Sequence, residues 1–220
     1  MHPVRLIVKA WHYYREYGLT ELRYRIHGAR RFAVLRKRLQ GEWVERAYRD
    51  VQFRVACPDD VAMVCGLYER YKRCEAPIDV VDRIRAHELT VLGVSPADSR
   101  MVMYVSVASR NNQLFGLLPE DVAGPDDACS QGIWVPSICR KQGIAVRGLG
   151  FVEYAAAQAG VRQLWAFVKV GNAASLALHQ TLGYEQFGLL RAGRRLGTRM
   201  AELRQTGQRG WQSLVAESDG

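Results

Sequence analysis

The six residues from Arg140 to Ala145 have the composition of a phosphate-binding turn. They follow a predicted strand and open a predicted helix, whose first turn presents unpaired backbone N–H groups and a partial positive charge. Gly143 has no Cβ and tolerates positive φ, so phosphate oxygens can approach its backbone closely. Arg140 and Lys141 add positive charge. A glycine near a helix start is more often a packing or turn residue, so this segment alone does not identify a phosphate site.

A second informative segment follows the next predicted strand. Together the two segments resemble the GCN5-related N-acetyltransferases, whose acyl-CoA site carries Gln or Arg, two residues, Gly, one residue, and then Gly or Ala. Arg140, Gly143 and Ala145 match those positions. The second half of the family pattern is matched by Asn172, Ala173, Leu178 and the helix-ending Leu182-Gly183-Tyr184. The resemblance covers residues 51–205 and is closest from 130 to 188.

The resemblance implies acetyl-CoA, or another acyl-CoA, as co-substrate and no metal. In the family the end of the fourth strand, here Trp134-Val135-Pro136, splays from the fifth, here Phe167-Val168, and the pantetheine arm pairs with the exposed backbone. A backbone N–H near Val135 then polarises the thioester carbonyl and stabilises the oxyanion. By this resemblance the donor is bound by Val135, Arg140, Lys141, Gln142, Gly143, Ile144, Ala145 and Asn172.

His179 stands where many family members have a tyrosine that protonates the departing thiolate. A histidine with an ordinary pKa of about 6.5 can also act as a general acid, so catalysis is assigned to Val135 and His179. The alternative for His179 is a solvent-facing histidine on a helix. Asn172 is expected to reach the pantetheine or the sulfur, or to cap the following helix, or to do both.

A general base is harder to identify from sequence. His87, Glu88, Asp126 and Asp127 lie where the substrate side of the fold is expected, but each also fits a solvated surface residue. Proton transfer to water, with no protein base, is a further alternative. Glu153 is predicted to form a salt bridge from the middle of its helix. A nucleophilic Cys139 is a minor alternative, since Arg140 and Lys141 favour a thiolate.

The pattern of apolar residues predicts the elements that position these groups. Strands are expected at 51–55, 89–94, 101–107, 131–135 and 163–168, with a last hairpin at 184–190 and 198–203. Helices are expected after Asp59 or Asp60, from Pro77 to His87, from Gly143 to Ala159 and from Ala173 to Leu182. The strand-helix-strand run through 131–168 implies a parallel strand pair.

The net charge of +9 is concentrated at the N-terminus, where residues 1–40 hold ten Lys or Arg against two acids. Residues 4–16 and a second run through Leu22, Ile26, Ala29 and Ala33 show helical spacing, so two basic amphipathic helices are predicted. They pack on the domain or on a second subunit, lie on an anionic membrane surface, or contact nucleic acid, in decreasing order of expectation.

We therefore expect an α/β acetyltransferase fold with a mixed, mostly antiparallel sheet, divided into a helical extension (1–45), the domain (46–205) and a tail (206–220). No signal peptide or membrane span is indicated, and the five cysteines form no zinc or disulfide pattern, which predicts a cytoplasmic protein. The expected reaction is direct acyl transfer to the primary amine of an unidentified acceptor. Two alternatives are long-chain transfer from an acyl carrier protein at a membrane and an inactive binding module.

Overall fold

The computed structural model describes residues 29–41, 51–71, 77–86, 88–110, 112–195 and 198–214. Its strands are β1 (Ala29–Arg38), β2 (Gln52–Val55), β3 (Thr90–Ser95), β4 (Arg100–Ala108), β5 (Asp127–Trp134), β6 (Gln163–Lys169), β7 (Glu185–Arg195), β8 (Thr198–Gln205) and β9 (Gln212–Leu214). Its helices are α1 (Val61–Tyr71), α2 (Pro77–Arg85), α3 (Ile144–Gln158) and α4 (Ala173–Thr181).

The chain divides into two compact units. The α3 unit comprises the described residues within 37–116 and 123–166 and contains α1, α2 and α3. The α4 unit comprises those within 1–36, 117–122 and 167–220 and contains α4.

In the α3 unit the strands follow the order β2-β3-β4-β5-β6. The pairs from β2 to β5 are antiparallel, whereas β5 and β6 are parallel, from Asp127 opposite Gln163 to Ser130 opposite Ala166. This arrangement confirms the predicted mixed sheet, the hairpin of β3 and β4, and the parallel pair around a crossover helix.

Apolar side chains cover both faces of this sheet. On one face, α1 and α2 pack on strand residues that include Leu92 and Tyr104. On the other face, α3 lies so close to β4 that a Cβ on Gly148 would overlap the sulfur of Met103. A side chain on residue 148 would require the Met103 side chain to move, so the glycine lets α3 lie close against the strand that neighbours β5.

In the α4 unit the strands follow the order β1-β7-β8-β9, all antiparallel. Strand β1 pairs with β7 from Ala29 opposite Gly193 to Arg36 opposite Glu185. The predicted helix through Ala29 and Ala33 is therefore wrong over these residues, which lie inside the segment assigned to the helical extension. The first predicted helix and the rest of that extension lie outside the described residues.

Most of the remaining elements begin and end close to the predicted residues. The helices at 77–85, 144–158 and 173–181 and the hairpin of β7 and β8 are confirmed to within a few residues. Strand β5 begins four residues earlier than predicted, and β9 was not predicted. Within the described part of the chain, no helix has the length and apolarity needed to cross a bilayer.

Candidate functional site

The turn between β5 and α3 has the backbone of an anion-binding loop. After a short 3-10 turn at Ser137–Cys139, Lys141 and Gly143 both adopt left-handed conformations, with φ of 62° and 73°. Such a sequence of turns directs backbone N–H groups into one concavity. Arg140, Lys141, Gln142 and Gly143 are exposed, whereas Ile144 is buried beneath them and Ala145 is half-buried.

The first turn of α3 leaves its N–H groups available to an anion. Gly143 occupies the N-cap and offers no side-chain acceptor, and the first turn contains no acidic residue. The first intrahelical bond is donated by Arg147 N to Gly143 O at 3.1 Å, so the N–H groups of residues 144–146 precede the helical ladder. The helix dipole adds a partial positive charge at this end.

Side chains within the loop hold it in shape. The Nε of Arg140 donates to the carbonyl of Val135 at 3.0 Å, and the Nε2 of Gln142 donates to the carbonyl of Ile138 at 3.2 Å. Arg140 therefore fastens the loop to the end of β5 while placing its charge beside the turn. These contacts preorganise the loop, which lowers the cost of binding a ligand there.

Strand β5 loses its β6 partner before it ends. The last pair between them is Ser130 with Ala166, and Gly132 has a φ of 68° at a register shift opposite β4. Beyond that shift Trp134 still pairs with Tyr104 of β4. Val135, 8% exposed, follows directly after the strand. Among the described residues, β5 thus has ladder partners on one side only near its carboxyl end.

Asn172 and His179 lie in the α4 unit. The Oδ1 of Asn172 accepts the backbone N–H of Ser175 at 3.1 Å, so the predicted helix cap is confirmed. His179 is 2% exposed, so the alternative of a solvent-facing histidine is wrong. Its ring packs edge-on against the ring of Tyr184, with the two ring centroids 4.9 Å apart.

The hydrogen bonds of His179 define its tautomer. Nδ1 lies 2.7 Å from the carbonyl oxygen of Ser175, which can only accept, so the neutral ring carries its proton on Nδ1. Nε2 is buried and has no hydrogen-bond partner among the described residues. Burial lowers the pKa of His179, and the bond to Ser175 opposes this shift. The ring therefore carries a bare Nε2 when neutral and is a proton donor at that atom only when protonated.

The predicted base candidates are mostly engaged in other contacts. Asp127 accepts from Trp165 Nε1 at 2.9 Å, Asp126 pairs with Arg162 at 3.3 Å, and Glu88 lies 3.7 Å from Arg83. His87 lies outside the described residues. The predicted salt bridge of Glu153 is confirmed, with Lys37 at 2.6 Å.

The environment of Cys139 opposes a thiolate. Burial raises the pKa of the Cys139 thiol, and the nearby negative charge of Asp98 raises it further. Arg140 and Lys141 do not offset this, so the alternative of a nucleophilic cysteine is not supported. Within the residues that the structure describes, no three His, Cys, Asp or Glu side chains are grouped as metal ligands.

A polar cluster that the sequence pattern did not reveal lies on the α1 and α2 face of β5. It comprises Arg83 and Glu88 near the end of α2, Asn112 after β4, and Gln131 of β5. Gln131 is paired with Ser106, and paired residues project from the same face. Burial raises the pKa of the neighbouring Cys129 thiol to about 12, and the charge of Arg83 opposes this shift. These residues are far apart in sequence, and only strand register brings them together.

Known proteins share this fold. The Acetyltransferase (GNAT) family matches residues 63–184. No curated protein matches the chain by sequence. A Drosophila protein superposes with a TM-score of 0.55 and 12% sequence identity, and the match covers 79% of this chain and 54% of that protein. The glucosamine N-acetyltransferase region of a fungal β-N-acetylglucosaminidase superposes with a TM-score of 0.54 and 14% sequence identity, and the match covers 78% of this chain and 22% of that protein. An aminoglycoside N-acetyltransferase in complex with CoA superposes with a TM-score of 0.50 and 16% sequence identity, and the match covers 70% of this chain and 95% of that protein.

Proposed function

We infer that this chain, which belongs to the GNAT acetyltransferase family and is an acyl-CoA-dependent N-acyltransferase, transfers an acetyl group from acetyl-CoA to a primary amine. The observation that carries this inference is the turn from Arg140 to Ala145. Its left-handed residues, its helix start without a side-chain cap and its two basic side chains fit a pyrophosphate.

The donor is assigned to the β5 side of this turn. The N–H groups of residues 144–146 bind the pyrophosphate, and Arg140 and Lys141 neutralise part of its charge. The pantetheine arm lies along the carboxyl end of β5, where ladder partners on the β6 side have ended. The contact of Asn172 with the donor stays a prediction, because its side-chain oxygen already caps α4.

The reaction is a direct attack. The amine nitrogen bonds to the thioester carbon, and the carbonyl oxygen becomes an oxyanion that the backbone N–H near Val135 stabilises. The C–S bond then breaks, the sulfur takes a proton, and the nitrogen loses one. Since Asp126 pairs with Arg162 and Asp127 accepts from the indole N–H of Trp165, we assign the nitrogen's proton to water.

The test follows free thiol release from acetyl-CoA in the presence of pooled primary amines. We expect amine-dependent release and an N-acetylated product detected by mass spectrometry. Butyryl-CoA and an acylated carrier protein serve as competing donors at equal concentration. Thiol release only from the carrier protein would contradict the assignment of acetyl-CoA, and donor binding without turnover on any amine would support an inactive binding module.

A further inference from the structure

The side-chain amide of Gln131 lies between two hydrogen-bond donors. Asn112 approaches from one side through Nδ2, and the guanidinium of Arg83 approaches from the other. The orientation of Asn112 is fixed, because its Oδ1 accepts the N–H groups of Leu114 and Phe115 at 2.9 and 3.0 Å. An amide has one carbonyl oxygen, so Gln131 accepts from one of these donors and turns its NH2 toward the other.

This cluster has more donors than acceptors. The guanidinium of Arg83 carries five N–H donors. Its carboxylate neighbour Glu88 lies at 3.7 Å, beyond the roughly 2.7–2.9 Å of a direct charge-assisted hydrogen bond. Both side chains are about one quarter exposed, at 24% and 26%. An acceptor group arriving from solvent therefore finds directed donors at a site that is partly shielded from water.

The cluster shares a strand with the proposed reaction centre. Gln131 precedes Val135 by four residues, a span on the order of 13 Å along an extended strand. The bulge at Gly132 shortens it. Between them, on the same face, Tyr104 and Trp134 stack with ring centroids 6.0 Å apart. The cluster and the proposed reaction centre therefore lie on one strand, separated by this aromatic pair.

We propose that the acceptor carries a carboxylate in addition to its amine, and that Arg83, supported by Asn112 and Gln131, binds this carboxylate. The inference rests on the proposed function, since it names the substrate class of the same site. A singly charged carboxylate fits better than a phosphate, because the guanidinium carries one positive charge. A doubly charged phosphate beside Glu88 is repelled more strongly.

The first test compares acceptors in matched pairs: dipeptides and ω-amino acids against their carboxamides, in which the change is remote from the amine. We expect acetylation of the carboxylates with kcat/KM about ten- to a hundredfold higher, the range of a hydrogen bond to a charged group. Arg83→Gln should abolish this preference by raising the KM for the carboxylates, with the KM for acetyl-CoA unchanged. Arg85→Gln, an exposed arginine on the same helix turn, is the control and should keep the preference.

A second test needs no turnover. N-acetylated dipeptides added with CoA should raise the Tm of the wild-type protein and of Arg85→Gln, but not that of Arg83→Gln, and their carboxamides should raise none. Equal use of both members of each pair, or equal Tm shifts with both, would overturn the proposal. Carboxylate-dependent Tm shifts without acetyl transfer would keep this site and reject the proposed function, so the two failures are distinguishable.

Discussion

The Nδ1 atom of His179 lies 2.7 Å from the carbonyl oxygen of Ser175, one turn earlier in α4. This bond places the proton of the neutral ring on Nδ1 of a buried side chain. The protonation of this ring bears on both the stability of the protein and its turnover.

The stability of the protein should depend on pH through His179. Burial lowers its pKa in the folded state, whereas the unfolded chain binds a proton near pH 6.5. Above that pH both states are neutral and the group contributes no pH dependence. Below it the unfolded state is favoured, by at most about 1.4 kcal/mol per pH unit.

Urea unfolding at pH 5.5 to 7.5 measures this effect. The wild-type free energy of unfolding should fall below pH 6.5 more steeply than that of His179→Leu, in which nothing titrates at this position. Parallel curves for the two proteins would show that His179 is as easily protonated in the folded state as in the unfolded one.

The general-acid role of His179 stays a prediction. If the ring gains a proton at Nε2 and passes it to the departing sulfur, His179→Gln should lower turnover by about 10²–10⁴ with CoA affinity unchanged. Steady-state rates from pH 6 to 9, together with CoA titrations, separate these effects. Wild-type turnover in a folded His179→Gln variant would restrict the residue to packing.

Replacing Lys141 should change stability and CoA binding in opposite directions, because its backbone conformation is strained and its side chain carries a charge. Its φ of 62° is left-handed, which glycine adopts without the Cβ strain that other residues bear. Lys141→Gly should therefore raise the free energy of unfolding by at most about 1 kcal/mol while weakening CoA binding through the lost charge.

Ser99→Gly is the matched control, because Ser99 is also left-handed, with a φ of 53°, in the turn between β3 and β4. It should gain similar stability and bind CoA as the wild type does. Calorimetric affinities at low and high salt would show whether charge is responsible. Unchanged affinity in Lys141→Gly at both salts would remove Lys141 from the donor site.

Asp60 should govern acid stability in the α3 unit. Its carboxylate accepts two hydrogen bonds from Arg54, at 2.6 and 2.5 Å, and one from Cys57 N at 2.9 Å. Hydrogen bonding by Arg54 is the main cause that lowers the pKa of Asp60 to about 2, with burial opposing it. The stabilisation is complete above pH 4 and is lost as the pH falls from about 4 to 2.

Acid unfolding followed by circular dichroism tests this assignment. Asp60→Asn should be less stable at neutral pH and should lose less stability between pH 4 and 2 than the wild type. Its exposed neighbour provides the control, since Asp59→Asn should behave as the wild type. Identical acid transitions in both variants would contradict the role of Asp60.

Strand β1 shows where prediction from sequence fails. Phe32, Ala33, Val34 and Leu35 are all buried, so both faces of the strand are covered and the alternation expected of a half-exposed strand is missing. A continuous apolar run fits a helix equally well, and tertiary pairing with β7 decides the outcome. The basic N-terminal surface predicted for residues 1–40 stays a prediction, as does the boundary near residue 46.

One part of the candidate site could be predicted from the sequence, and another part could not. The turn from Arg140 to Ala145 is contiguous, so its residue types and order predict it, and the structure supplies the left-handed residues that such a turn needs. The cluster of Arg83, Asn112 and Gln131 depends on β4 and β5 register and on where α2 ends. No local pattern marks it, because each of its residues is ordinary in its own segment.

In the proposed mechanism the backbone at Gly143 binds the donor's phosphates, and calorimetric titration of CoA tests this contact most directly. A Cβ at Gly143 meets only the Arg147 Nε at 3.9 Å, so a side chain there fills the concavity rather than the core. Gly160→Val is the matched control: Gly160 lies just beyond the other end of α3, has a φ of 88°, and a Cβ added to it would point into open space. We predict wild-type CoA affinity for Gly160→Val and at least a tenfold loss for Gly143→Val, with both variants folded by circular dichroism. Unchanged CoA affinity in a folded Gly143→Val protein would contradict the account.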